Sequence, residues 1–139
     1  MPETLGRRVY SQNAVLRGKL SDLHWEAFLI ECTVALGMDP AGKAAIFHYP
    51  LDNGKGGTGL TVCQPITTSF MVVDVWPDFD GAYLHISSCK KFAIADLVET
   101  IRHFELALDF AGAVETLRLD PKPPHMGMPS DPRLDRLEI

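Results

Sequence analysis

The sequence is poor in cysteine, in clustered positive charge and in long apolar runs, and each shortage removes a class of protein. Cys32, Cys63 and Cys89 are odd in number and form no CxxC pair, so a disulfide framework is not expected and the three read as reduced thiols. Thirteen Lys and Arg stand against eighteen Asp and Glu, giving a formal charge of −5 with no dense basic run. That argues against nucleic acid or anionic membrane as the main partner. No stretch approaches the roughly 20 apolar residues of a membrane span. Met1 to Arg8 leads into no apolar targeting segment, and a cytoplasmic location is the expectation. No internal repeat is found.

What is present is a chain of 139 residues with 46% apolar content, enough for one packed core. The expected domain covers residues 1–120. Residues 121–139 hold Pro121, Pro123, Pro124, Pro129 and Pro132 and few apolar side chains, and read as an extended arm.

Local patterns place the elements. Ala14 to Leu20 predicts a first strand, and Ser21 or Asp22 can cap a helix running to about Met38 that Gly37 ends. Leu23, Ala27, Ile30 and Val34 recur at helical spacing, and Trp25, Phe28, Leu29, Cys32 and Leu36 widen the apolar face. Lys43 to Tyr49 and Leu60 to Gln64 read as strands around a turn-rich segment, with Pro65 interrupting the pairing. Phe70 to Trp76 is apolar on nearly both faces and reads as a central strand covered on two sides, Asp74 being its only charge. Along Ala82 to Cys89 the apolar Ala82, Leu84 and Ile86 alternate with Tyr83, His85, Ser87 and Cys89, which puts polar groups on one face. A second helix is expected over about Ala93 to Phe110, then an outer strand over Ala113 to Leu119. The order predicts an α+β domain, an antiparallel sheet with two helices on one face and the other face left to cover.

Gly54-Lys55-Gly56-Gly57-Thr58-Gly59 matches GxGxxG in form, yet the dinucleotide fingerprint must open a helix whose N-terminus receives a pyrophosphate. Here a strand is expected to follow, so the glycines read as a hairpin connection. His48, Asp74, His85 and Cys89 show no established metal-ligand spacing, and no metal is expected.

The segment Pro65-Ile66-Thr67-Thr68-Ser69-Phe70-Met71-Val72-Val73-Asp74-Val75-Trp76-Pro77, followed by Gly81 to Cys89, resembles the processing and catalytic segment of the S-adenosylmethionine decarboxylase family. In that family a backbone serine attacks the preceding carbonyl, an N-to-O acyl shift follows, and β-elimination cuts the chain and leaves a pyruvoyl group. The resemblance implies Ser69 as the pyruvoyl precursor, Cys89 as the proton donor and Asp74 as the processing base, where the family has histidine. A carboxylate can serve as that base when burial raises its proton affinity, and a thiol with the ordinary pKa of about 8.5 is protonated at neutral pH. Thr68, Phe70, Trp76 and His85 fall at substrate-binding positions, the aromatic rings suited to stacking on adenine. Thr58 or Thr61 matches a processing-related turn serine.

The pyruvoyl group would act as an electron sink for decarboxylation of S-adenosylmethionine or a related amine, a lyase step in polyamine (spermidine) synthesis. Sequence departures cut against it. Glu before the serine is Thr68 here, and His after it is Phe70. The alternatives are an unprocessed homologue, binding a ligand or regulating an active partner, and a relative acting on a different amine-bearing substrate. The resemblance also implies a sandwich of the decarboxylase type and a homodimer in which uncovered sheet faces meet.

Overall fold

Alternation of buried and open side chains along the central strands sets the architecture. A computed structural model describes residues 7–51 and 57–119; the expected arm over 121–139 and Gly54 to Gly56 of the glycine run lie outside the described residues. The elements follow in chain order as β1 (Arg7–Arg17), α1 (Asp22–Ala35), β2 (Ala45–Pro50), β3 (Thr58–Ile66), β4 (Ser69–Trp76), β5 (Gly81–Ser88), α2 (Val98–His103), β6 (Ala107–Ala111) and β7 (Glu115–Leu119). The strands make one antiparallel sheet in the order β2-β3-β4-β5-β1-β6, and β7 also pairs with β1. β6 takes the C-terminal half of β1 and β7 the N-terminal half. The fold is α+β, with the two helices on one face of the sheet, as the element order predicts.

On that face Ala14, Leu16, Val62, Met71, Val73, Leu84 and Ile86 are buried against Trp25, Phe28, Leu29 and Cys32 of α1. Ser21 caps α1, its side chain accepting from the His24 amide. The helix closes at Gly37 (φ 71), where the Gly37 amide bonds Val34 O and the Met38 amide bonds Thr33 O. This left-handed closure is a Schellman motif, for which glycine is suited. Both helix signals in the sequence are therefore realised.

Four expectations change. In α1 the stripe begun by Leu23 and ended by Val34 does not face the core: these two residues are 73% and 63% exposed. The helix is apolar nearly all round, and the side carrying Trp25 and Phe28 is the one that packs, because aromatic rings remove the most surface from water. The second helix is short. Its C-cap is Phe104, and Glu105 (φ 58) takes the left-handed position, with the Leu106 amide bonding Ile101 O and the Glu105 amide bonding Arg102 O. Ala107 and Leu108 thus leave the expected helix and pair with β1.

The third change is in the strands. β1 starts at Arg7 and stops at Arg17, because Gly18 (φ 134) turns the chain and its amide bonds Asp80 O at 2.9 Å. β3 runs through Pro65, which pairs with Phe70 beyond the last β2 partner, Cys63; a missing amide is tolerated where a strand has lost a neighbour. β4 is not covered twice. Met71 and Val73 are buried, whereas Phe70 is 41% exposed and Val72, Asp74 and Trp76 are half-buried on the other face.

The fourth concerns register. A tight 3-10 turn at Pro77–Phe79, ended by left-handed Asp80 (φ 55), joins β4 to β5. A hairpin through an open Pro77 to Gly81 loop, with Trp76 near Tyr83, predicts Asp74 opposite His85 and Phe70 opposite Cys89; the turn instead pairs Trp76 with Gly81, Asp74 with Tyr83 and Phe70 with Ser87. The displacement is two residues, so every side chain keeps its face. Gly81 has a steric reason at this turn: a Cβ there would sit 2.4 Å from Leu16 O.

Candidate active site

Ser69 opens β4 directly after the two-residue turn Thr67-Thr68 that joins it to β3. Thr68 is left-handed (φ 60), a backbone region unfavourable for a β-branched residue, and its hydroxyl bonds Thr67 O at 2.6 Å. Ser69 pairs with Ile66 on one side and Ser88 on the other, and so faces the helix-covered side with them. Its hydroxyl donates to Ser88 Oγ at 3.1 Å. Ser88 Oγ also accepts from the Lys90 amide at 2.9 Å and donates to Met38 Sδ at 3.8 Å. The Ser69 hydroxyl thus meets a second hydroxyl that is itself bonded to an amide and a thioether.

Cys89 follows the residue paired with Ser69 and is exposed just past the end of β5. Ser69 and Cys89 therefore share one end of the sheet. Asp74 does not join them. It lies five residues along β4, about 17 Å at the rise of a strand, and on the opposite face. There its carboxylate accepts a hydrogen bond from Thr61 Oγ1 and one from Tyr49 OH at 3.5 Å, and Tyr49 OH also meets Thr61 Oγ1 at 3.1 Å. Within one chain, Asp74 cannot reach the Ser69 Cα, so the three residues to which the resemblance gives catalytic roles do not gather in one pocket.

The substrate-binding set divides in the same way. Phe70 and His85 meet on the open face, ring centroids 5.8 Å apart. His85 Nδ1 lies 2.5 Å from Asn13 Oδ1, a bond that fixes the imidazole and directs Nε2 away from Asn13. Trp76, six residues farther along β4, packs instead on Phe79 at 5.6 Å and Tyr83 at 6.1 Å. Phe70 and Trp76 therefore do not flank a common site. Asn13 and Ser88 are the partners that sequence reasoning missed, since pairing across strands, with no local motif, brings them to His85 and Ser69.

The remaining candidates resolve as follows. Thr58 and Thr61 both lie in β3, and Leu51 N bonds Gly57 O at 3.1 Å, so the described part of the glycine run leads into a strand as expected. Among the described residues no group of three or more His, Cys, Asp and Glu is arranged to hold a metal ion, and no helix is long and apolar enough to cross a membrane.

The three thiols differ in environment. Burial pushes the Cys32 thiol far up, with Glu31 adding repulsion, and burial raises Cys63 as well. A raised thiol pKa leaves less thiolate at a given pH, so both should alkylate slowly. With iodoacetamide at pH 8, Cys89 is expected to react first, Cys63 later, and Cys32 only after unfolding. Peptide mass mapping over time checks the order, and early labelling of Cys32 would contradict the packing of α1.

No protein-family model and no curated protein matches this sequence. Among solved structures, the chain is similar to the crystal structure of the adenosylmethionine decarboxylase from Aquifex aeolicus VF5, with a TM-score of 0.48 and 10% sequence identity over 90% of this chain and 98% of that one. A likeness of that depth carries no weight for activity.

Proposed function

We propose that this chain is an S-adenosylmethionine decarboxylase-like protein that stays unprocessed and acts by binding a ligand or a partner rather than as a pyruvoyl enzyme of spermidine synthesis. The observation carrying this reading is the separation of Asp74 from Ser69. The Ser69 hydroxyl donates to Ser88, while the carboxylate cast as processing base is held by Thr61 and Tyr49 on the opposite face. The β-elimination that would complete processing needs a base at the serine Cα. The Asp74 carboxylate stands where one chain cannot bring it to that atom.

Ligand contact on this reading falls to Phe70 and His85, which offer an aromatic face and a fixed imidazole on the open side of the sheet. One observation favours self-processing as a second reading. Thr68 is left-handed on the acyl side of the bond that would rearrange, and backbone strain there would be relieved by conversion to an ester. In that case Ser69 would yield the pyruvoyl group, Cys89 would protonate the product carbon, and the amine bound would be S-adenosylmethionine or a relative.

Titration with carboxyl-labelled S-adenosylmethionine separates the readings. The expected result is saturable heat of binding with no labelled carbon dioxide released. Release of labelled carbon dioxide by the chain alone would establish the decarboxylase instead.

A further inference from the structure

The open face of the sheet carries two complementary polar atoms to which one chain gives no partner. Asp74 accepts from Thr61 and from Tyr49 at the same oxygen, Oδ1, and among the described residues nothing bonds its Oδ2. His85 is bound to Asn13 through Nδ1, and among the described residues nothing bonds its Nε2. Both side chains are half-buried. They are diagonal neighbours, because Asp74 pairs with Tyr83, two residues before His85 on β5. Such neighbours stand about 7–8 Å apart, too far to bond one another.

Around them the face is apolar, with Phe47, Phe70 and Phe110 exposed. A cover for this face must be apolar and must also answer a carboxylate and an imidazole set side by side. A second copy of the same face does both. A two-fold axis running between the two faces, across the line from Asp74 to His85, lays the carboxylate of each copy over the imidazole of the other. No other charged side chain on this face is placed to do so: Arg17 is bound by Asp109 and Phe79 O, Arg7 opens β1 and Glu115 opens β7. A carboxylate carried into a dry contact without a partner is costly.

We infer that a second copy of this chain closes over the open face and that Asp74 of each copy binds His85 of the other. This deepens the proposed function, from which it takes only that the chain binds a partner. The same imidazole serves the ligand contact described above, so ligand and second copy are alternatives at His85. With Nδ1 already donating to Asn13, Nε2 donates to a carboxylate only in the imidazolium form, and the contact is strongest where histidine is protonated. The titratable groups facing the pair are Tyr49 and Tyr83 beside Asp74, and Cys63 across Val72 from His85. Phenols and thiols lose their protons above the range from pH 6 to 7.5.

Sedimentation equilibrium of the full chain at pH 6 and pH 7.5 is the test. A dimer is expected, tighter at pH 6 by roughly threefold or more. Asp74→Asn and His85→Gln each leave one group of the pair unanswered and should weaken the dimer roughly tenfold. The double variant should be no weaker than either single one, the sign of a direct pair. Thermal unfolding checks that the variants fold; where one does not, the pH dependence of the native chain decides. The inference is overturned by a native chain that is monomeric at about 100 µM, by a dimer indifferent to pH, by single variants that associate as the native chain does, or by single effects that multiply in the double variant. Release of labelled carbon dioxide would overturn the unprocessed reading and bear on none of these outcomes.

Discussion

In solution the chain is expected to be a homodimer closed over its open sheet face, and the variant Phe70→Asp with Phe110→Asp is expected to be a monomer. The register puts Phe47, Thr61, Asp74, Tyr83, Val15 and Phe110 in one row straight across the sheet, all on the side away from the helices. Phe47 and Phe110 are 56% and 61% exposed, and Phe70, Leu117 and Leu119 add to the same open apolar area. Exposed aromatic and leucine side chains gathered on one sheet face are the kind of surface that marks an interface, and a second copy of the same face is a self-complementary cover. Asp at positions 70 and 110 would place unpaired charge in a dry contact. Light scattering at micromolar concentration checks both species; a monomeric native chain would contradict the expectation.

Phe28→Ala is expected to give the largest loss of stability of any single truncation discussed here. Phe28 is fully buried and stands edge-on to Trp25 at 5.7 Å and to Phe104 at 5.4 Å, so one ring ties α1 to the residue that ends α2. Removing such a ring costs about 3–5 kcal/mol, partly as lost burial and partly as the cavity left behind. For a chain of this length that lowers the melting temperature by roughly 10 °C or more. Leu23→Ala, on the solvent side of the same helix, should change stability by less than about 0.5 kcal/mol. Thermal unfolding of the two variants side by side is the check. If Leu23→Ala cost as much as Phe28→Ala, the stripe from Leu23 to Val34 would be the packed face after all.

The contrast between those two residues shows where the sequence was legible. The start of α1 at Ser21 and its end at Gly37 are local capping events, readable because a few neighbouring residues decide them. The alternation of Ala82, Leu84 and Ile86 with Tyr83 and His85 was readable for the same reason. Which side of an all-round apolar helix meets the sheet is a tertiary choice, and Leu23 was misplaced on that account. The shortened α2 turned on Glu105 accepting a left-handed φ that is usual for glycine, so no glycine marked the break before β6.

The candidate site was legible to the same depth. Ser69 and Cys89 do reach one end of the sheet, because a hairpin between neighbouring strands brings its two ends together whatever the fine register. Asp74 was misjudged because its distance from Ser69 along a strand, and the parity that puts it on the other face, both follow from strand geometry and override a match of residue positions. Ser88 and Asn13 needed the pairing of β4 with β5 and of β5 with β1, which no local pattern encodes.

The most direct measurement is the intact mass of the purified, denatured chain after prolonged incubation at neutral pH. An unprocessed protein gives one species of 15.4 kDa with a free serine at position 69. Two fragments divided between Thr68 and Ser69, the second beginning with a pyruvoyl group that reacts with hydrazine, would contradict the account and return Ser69 to the role of cofactor precursor.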